Sequence, residues 1–226
     1  DHMQAAGGRV RGIWLPADRL SLDFNVSYDY SDEGAYPYFY TGSLTDVKSY
    51  GELIGTISNN RESSYRRNLL NAGVNIEYRG ATWQMNAVTS YQNLSDRMFM
   101  DQDFISADIY TLEQKQRINT ISEEGTMKSK KEGFWEWVNG ANVMYQALNT
   151  TGPVTFYKDG VDWLTQMINS QMPNPQEIPA MARMGFGTMG VNFRDEEIHM
   201  GGTFETPTFN AALFHQSTLN ITDKLS

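Results

Sequence analysis

Leu20-Ser-Leu-Asp-Phe-Asn-Val-Ser-Tyr-Asp-Tyr-Ser31 is the stretch that decides the fold. Leu20, Leu22, Phe24, Val26, Tyr28 and Tyr30 share one parity, and Ser21, Asp23, Asn25, Ser27, Asp29 and Ser31 share the other. Successive side chains of a β-strand point to opposite faces, so the stretch has one apolar face and one wholly polar face. A helix of about 3.6 residues per turn would scatter the same residues around its circumference. The run of about twelve residues outlasts the usual five or six of a globular strand and reaches the roughly 9–11 that a tilted strand needs to cross a bilayer.

The pattern recurs downstream. Leu70, Ala72, Val74, Ile76 and Tyr78 alternate with Asn71, Gly73, Asn75 and Glu77. Trp83, Met85, Ala87, Thr89 and Tyr91 alternate with Gln84, Asn86, Val88, Ser90 and Gln92. Trp135, Trp137, Ala141, Val143 and Tyr145 share a parity opposite Glu136, Asn142 and Gln146, with Val138 and Met144 blurring the polar side. Residues 9–15, 118–129 and 210–221 have mixed faces and are read as strands partly from their position.

The connections between these runs are of two kinds. Pro16-Ala17-Asp18-Arg19, Arg79-Gly80-Ala81 and Lys130-Lys131-Glu132-Gly133 are short and rich in turn-forming residues, and Thr222-Asp223-Lys224 opens a fourth link of the same kind. Between them lie long stretches at 32–68, 97–117 and 147–209. Strict alternation of short and long connections puts tight turns at one end of the sheet and large loops at the other, the asymmetry of a transmembrane β-barrel. Trp14, Tyr28, Tyr30, Tyr78, Trp83, Tyr91, Trp135, Trp137 and Tyr145 stand near strand ends, where an apolar band would meet head groups.

Bulk composition narrows the function. The chain has 226 residues, enough for one or two domains, with 27 Asp+Glu against 18 Lys+Arg and a net charge of -9. That balance argues against a nucleic-acid partner. With no cysteine there is no disulfide, thiol nucleophile or thiolate metal site. Mean hydropathy is -0.51 and no window approaches the roughly 18 apolar residues of a spanning helix, which leaves a β-barrel open.

Three segments carry a family resemblance. Arg19-Leu-Ser-Leu-Asp-Phe-Asn-Val-Ser-Tyr-Asp-Tyr-Ser-Asp32, Tyr65-Arg-Arg-Asn-Leu-Leu-Asn-Ala-Gly-Val-Asn75 and the run from Phe209 to Ser226 resemble the barrel region of TonB-dependent outer-membrane receptors. Met98-Phe-Met-Asp-Gln-Asp-Phe104, leading through Tyr110-Thr-Leu-Glu-Gln-Lys115 to Ser122-Glu123-Glu124, resembles the part of such receptors around a strand with a Ser-Glu-Glu run. The resemblance covers most of residues 9–226 through diffuse patterns. It implies an all-β antiparallel meander of about seven long strands, part of a barrel of about 22 strands in the outer membrane of a Gram-negative cell. It also implies energised uptake of a scarce ligand such as a ferric siderophore, cobalamin or an oligosaccharide.

On this reading Asp1-His2-Met3 resembles the scar of a cleaved tag. Residues 1–4 are then a remnant and residues 5–226 a partial barrel domain without a plug. The polar parity faces the lumen and the apolar parity faces lipid. TonB is engaged only through parts outside this segment, and exposed strand edges lead the isolated piece to self-associate. Candidate ligand contacts are the aromatic run Tyr36, Tyr38, Phe39 and Tyr40, the cations Arg66 and Arg67 at the outer start of a strand, and the carboxylates Asp101 and Asp103. Aromatic rings stack on sugars or chelate rings, and arginines attract an anionic chelate or lipopolysaccharide phosphates.

Catalysis finds little support, since no Gly-x-Ser-x-Gly elbow, phosphate loop or His-Glu-x-x-His pair is present. Neither a cofactor nor a metal is expected. Met167, Met172, Met181, Met184, Met189 and Met200 fit adaptable packing better than a thioether copper site. Val161 to Gln171 reads as a short amphipathic helix with Val161, Leu164, Met167 and Ile168 on one face. Two other readings stay open: a soluble β-rich carbohydrate-binding module using Tyr36 to Tyr40, and an esterase-like or metal-dependent hydrolase using pairs such as Asp101/Asp103 or Asp195-Glu196-Glu197.

Overall fold

Alternating polarity becomes extended strand along most of the described residues, and hydrogen bonds between neighbours then build one sheet. The computed structural model describes residues 2–34, 38–42, 48–130, 134–172 and 190–221. Chain order is β1 (His2–Ala17), β2 (Leu20–Gly34), a 3₁₀ turn (Lys48–Leu53), β3 (Ser64–Arg79), β4 (Trp83–Asp101), β5 (Tyr110–Ser129), β6 (Trp135–Thr151), β7 (Val154–Phe156), α1 (Lys158–Gln171), β8 (Ile198–Met200) and β9 (Thr203–Leu219). The long strands run β1-β2-β3-β4-β5-β6-β9, and short β7 pairs with both β5 and β8. All pairings are antiparallel, as the meander requires.

Hydrogen bonds tie neighbouring tight turns to one another at one end of the sheet. The Arg79 amide donates to the Arg19 carbonyl at 2.8 Å, and the Lys130 amide to the Thr82 carbonyl at 2.9 Å. Lys130 Nζ also donates to the Gly80 carbonyl at 2.8 Å, and Tyr78 and Trp83 pack with ring centroids 5.2 Å apart at the same end.

The strands run further into the long connections than alternation alone predicts. The stretch expected as a loop over 97–117 contracts to 102–109, because β4 continues to Asp101 and β5 begins at Tyr110. The reason is an exchange of polarity along one face. Met85, Ala87 and Tyr91 of β4 share their face with Ser95 and Arg97, so a strand continues where its apolar signal stops. The 147–209 connection similarly begins after Thr151 and carries β7, α1 and β8 before β9.

The register sorts side chains into two faces. Val26, Ala72, Tyr91, Ile121, Tyr145 and Phe209 form one continuous row across six strands. On the other face Ser27, Asn71, Gln92 and Thr120 form a polar row, where Gln92 Nε2 donates to Asn71 Oδ1 at 2.8 Å. The Ser90 and Ser122 hydroxyls meet at 2.6 Å on that side. Glu124 belongs to the polar face. Glu123 is set among the apolar rows, where its carboxylate accepts a hydrogen bond from the Thr89 hydroxyl.

No second layer covers the apolar face among the described residues. Val26 is 47% exposed and Leu213 87% exposed. Ile105 and Val161 are the only buried hydrophobic side chains described, and both lie in the long connections. A β-sandwich would fill the space over Val26 and Val74 with a facing sheet about 10 Å away; here that face is open.

One close approach ties β9 to β6. Gly140 stands opposite Phe214, and a β-carbon on Gly140 would lie 2.0 Å from the Phe214 ring. Gly125 has nothing within 4 Å of the same position. Gly140→Val is therefore expected to push the ring aside and lower the unfolding free energy by about 1–3 kcal/mol. Gly125→Ala should change it by no more than about 0.5 kcal/mol. Urea unfolding of the two variants side by side reads the difference.

Candidate functional site

The long connections meet at one end of the sheet, and the packing there is local and specific. The Tyr157 amide donates to the Ile109 carbonyl at 3.0 Å, and the Val161 amide to the Tyr157 carbonyl at 2.7 Å, starting α1 beside the 102–109 loop. Gly160 permits that approach, because a β-carbon there would lie 2.1 Å from the Ile109 carbonyl oxygen. Asp159 Oδ2 accepts the Asp108 amide at 3.0 Å. Arg61 joins the third connection to these two. Its guanidinium donates to both carboxylate oxygens of Asp108 at 2.8 and 2.9 Å and lies 3.5 Å over the Tyr157 ring. The fork holds the Asp108 carboxyl below the usual carboxylate range.

This cluster adjoins a cavity of about 900 Å³, to whose wall it contributes Ile109 and Asp159. Phe39 and Tyr40 approach from the β2–β3 connection, Gln102 and Asp103 from the 102–109 loop, and Asp162 and Trp163 from α1, with Asp159 and Gln166 also at its wall. Phe104, also at the wall, has a positive φ of 58°, a conformation that costs a non-glycine residue and is held by its surroundings. Tyr38 packs edge-on against the Phe104 ring at 5.5 Å.

Asp103 and Asp101 differ in setting. Asp103 accepts the amides of Ile105, Ile109 and Tyr110 at 3.0 to 3.2 Å. Burial, aided by the charge of Asp101, still pushes its carboxyl up to about 6. Asp101 is wholly buried behind the wall. One of its oxygens accepts the Arg61 amide at 3.3 Å, the other has no protein hydrogen-bond partner, and burial raises its pKa as well.

The eight residues proposed from sequence as ligand contacts separate accordingly. Phe39, Tyr40 and Asp103 line the cavity, Tyr38 buttresses it, and Asp101 lies beneath it. Tyr36 lies outside the described residues. Arg66 and Arg67 are away from this cavity and on opposite faces of β3. Arg66 donates to Asp32 Oδ2 at 3.0 and 2.7 Å, and Arg67 stands opposite Asp96 on the other face. Sequence reasoning passed over Asp159, Asp162, Trp163 and Gln166. Their spacing of three, four and seven residues is the signature of one helix face. Asp162, Trp163 and Gln166 lie opposite the apolar side of the helix expected over Val161 to Gln171, and Asp159 joins them because the helix begins earlier, at Lys158. Met167, expected on its apolar face, is 42% exposed.

No family model matches the sequence, and no curated protein matches it. Among solved structures, the chain is similar to the ferric yersiniabactin uptake receptor FyuA from Yersinia pestis, with a TM-score of 0.50 and 11% identity. The match covers 98% of this chain and 36% of that receptor, so the chain spans about a third of its length. The likeness is one of fold: an antiparallel β-meander consistent with a piece of a β-barrel.

A raised carboxyl pKa has a defined sign. A carboxyl whose pKa is higher folded than unfolded binds protons more tightly when folded, so its stability contribution is fully present below the unfolded value of 3.8 and is lost as pH rises through about 6. The loop cluster should therefore weaken between about pH 4 and 6, and Asp103→Asn should flatten that dependence. Hydrogen exchange of the Ile105, Ile109 and Tyr110 amides across this range, compared in the two proteins, checks it.

Proposed function

We propose that this chain forms part of the wall and the ligand-capturing extracellular loops of a TonB-dependent outer-membrane receptor, and that it performs no chemistry of its own. The observation carrying this reading is a single-layer sheet whose apolar face is covered by nothing among the described residues, bounded by aromatic residues and with every long connection at one end. From Leu20 to Tyr28 the apolar rows extend about 27 Å along the strand, the scale of a hydrocarbon band crossed at a tilt. Lipid is the partner of that face, the lumen adjoins the polar face, and TonB acts through other parts of the receptor. The open apolar face speaks against the soluble binding module.

The loop cavity is the site we assign to ligand capture. Its charges are the carboxylates Asp103, Asp159 and Asp162, flanked by amide side chains and the rings of Phe39, Tyr40 and Trp163. Carboxylates repel an anionic ferric chelate, whereas rings that stack and acceptors that take hydroxyl protons suit a neutral polyhydroxylated molecule. Of the ligands that receptors of this type import, an oligosaccharide fits these walls best.

Two measurements test the reading. Val26→Lys or Val74→Lys should impair insertion into vesicles by about 2–4 kcal/mol, with Asn25→Lys and Asn75→Lys costing far less. Heat-modifiable gel mobility reports the inserted fraction, and equal tolerance on both faces would overturn the membrane assignment. For the ligand, calorimetric titration of the detergent-refolded chain with neutral hexasaccharides should give binding that Trp163→Ala weakens about 2- to 10-fold. Tighter binding of ferric citrate than of any saccharide would overturn the ligand class and leave the membrane assignment standing.

A further inference from the structure

The apolar face changes character abruptly at its loop end. Arg66 of β3 stands directly opposite Arg97 of β4, and Arg97 directly opposite Lys115 of β5. Three cations thus occupy one row on three adjacent strands spaced about 4.8 Å apart. Arg117 lies on the same face, two residues along β5 toward the apolar rows. Like charges directly opposite one another destabilise a sheet unless something neutralises them.

The protein neutralises them only in part. Asp32 pairs with Arg66 at 2.7 Å, and Glu113 is shared between Arg97 and Lys115, with Lys115 Nζ at 3.1 Å. Arg117 has no ion pair among the described residues, and on its row the nearest carboxylate is Glu205, two strands away on β9. All four cations line a cavity of about 460 Å³ whose wall also includes Asp96, a residue of the opposite parity. On their own face Asp32 and Glu113 are the only carboxylates paired with them among the described residues. The other face at this height carries one cation, Arg67, beside an aliphatic row of Leu69, Leu94, Ile118 and Leu148.

We propose that Arg66, Arg97, Lys115 and Arg117 bind the phosphate-bearing headgroup of a membrane lipid. The proposal rests on the membrane reading of the apolar face. Continuity argues for a lipid over a free anion, since the cations follow directly on the rows of Val26, Ala72, Tyr91 and Ile121. A molecule lying along this face places acyl chains on those rows and its phosphate among the guanidinium groups, which bind phosphate through paired N–H donors.

The test uses the chain in neutral detergent, titrated with phosphatidic acid or phosphatidylcholine and read by native mass spectrometry. Lys115→Gln combined with Arg117→Gln keeps Arg97 on Glu113, so no carboxylate is stranded. Wild type is expected to retain phosphatidic acid preferentially, and the double variant to lose that preference by about fivefold for each cation removed. Arg67→Gln, at the same height on the opposite face, should retain it. An unchanged preference in the double variant, or equal loss in Arg67→Gln, would overturn the proposal. So would displacement of the lipid by millimolar inorganic phosphate, which would mark a site for soluble anions. Insertion of all three proteins into phosphatidylcholine vesicles is measured in parallel. Failure of wild type there would overturn the membrane reading and this proposal together, whereas normal insertion without lipid preference would overturn this proposal alone.

Discussion

A sheet one layer thick has no interior of its own. Its backbone groups are satisfied by neighbouring strands, but the side chains of each face must find their medium outside the sheet. Here the faces differ in polarity: Val26, Ala72, Tyr91 and Ile121 line up on one, and Ser27, Asn71, Gln92 and Thr120 on the other. The rest of the structure depends on that division. A one-residue slip in any pairing would carry a whole strand's apolar set to the polar face, so the register is specified at every strand that alternates cleanly. Hairpin turns of a few residues preserve it, and the long connections are free to do something else.

What they do is build the one small packed region that the sheet does not supply. Ile105 and Val161 are buried there, where the 102–109 loop, the β2–β3 connection and the start of α1 converge on the Arg61–Asp108 fork. The fork is a pair of charge-assisted hydrogen bonds in a partly buried place, so it fixes direction as well as distance. Gly160 lets the helix begin against backbone where no β-carbon would fit. The cavity beside it is then lined by residues from three connections far apart in sequence, together with Tyr110 at the start of β5.

How much of this was legible follows from the same physics. Alternation over Leu20 to Ser31 and over Leu70 to Tyr78 discloses strand, face and partner, because the period of two survives wherever one face is apolar and the other is not. It fades at Ser95 and Arg97, where the apolar face turns polar, although the strand itself continues to Asp101. The loop site was half visible. Phe39, Tyr40 and Asp103 stood out as aromatics and acids in a loop, whereas Asp159, Asp162, Trp163 and Gln166 needed the helix to be read for its polar side. Tertiary convergence of three connections leaves no periodic trace in any one of them.

Period two also means that neighbours in sequence answer to different surroundings. Arg66 and Arg67 look like one basic dipeptide, yet the first belongs to the row that joins Asp32 to Arg97 and the second faces Asp96 across the opposite surface. Glu123 and Glu124 divide the same way, one hydrogen-bonded to Thr89 among apolar rows and the other on the polar face. A motif read as a unit therefore misassigns half of itself in any strand of this sheet. The functional grouping runs across strands, at right angles to the sequence, and it unites Arg66 with Arg97 and Lys115, residues that no scan along the chain would place together.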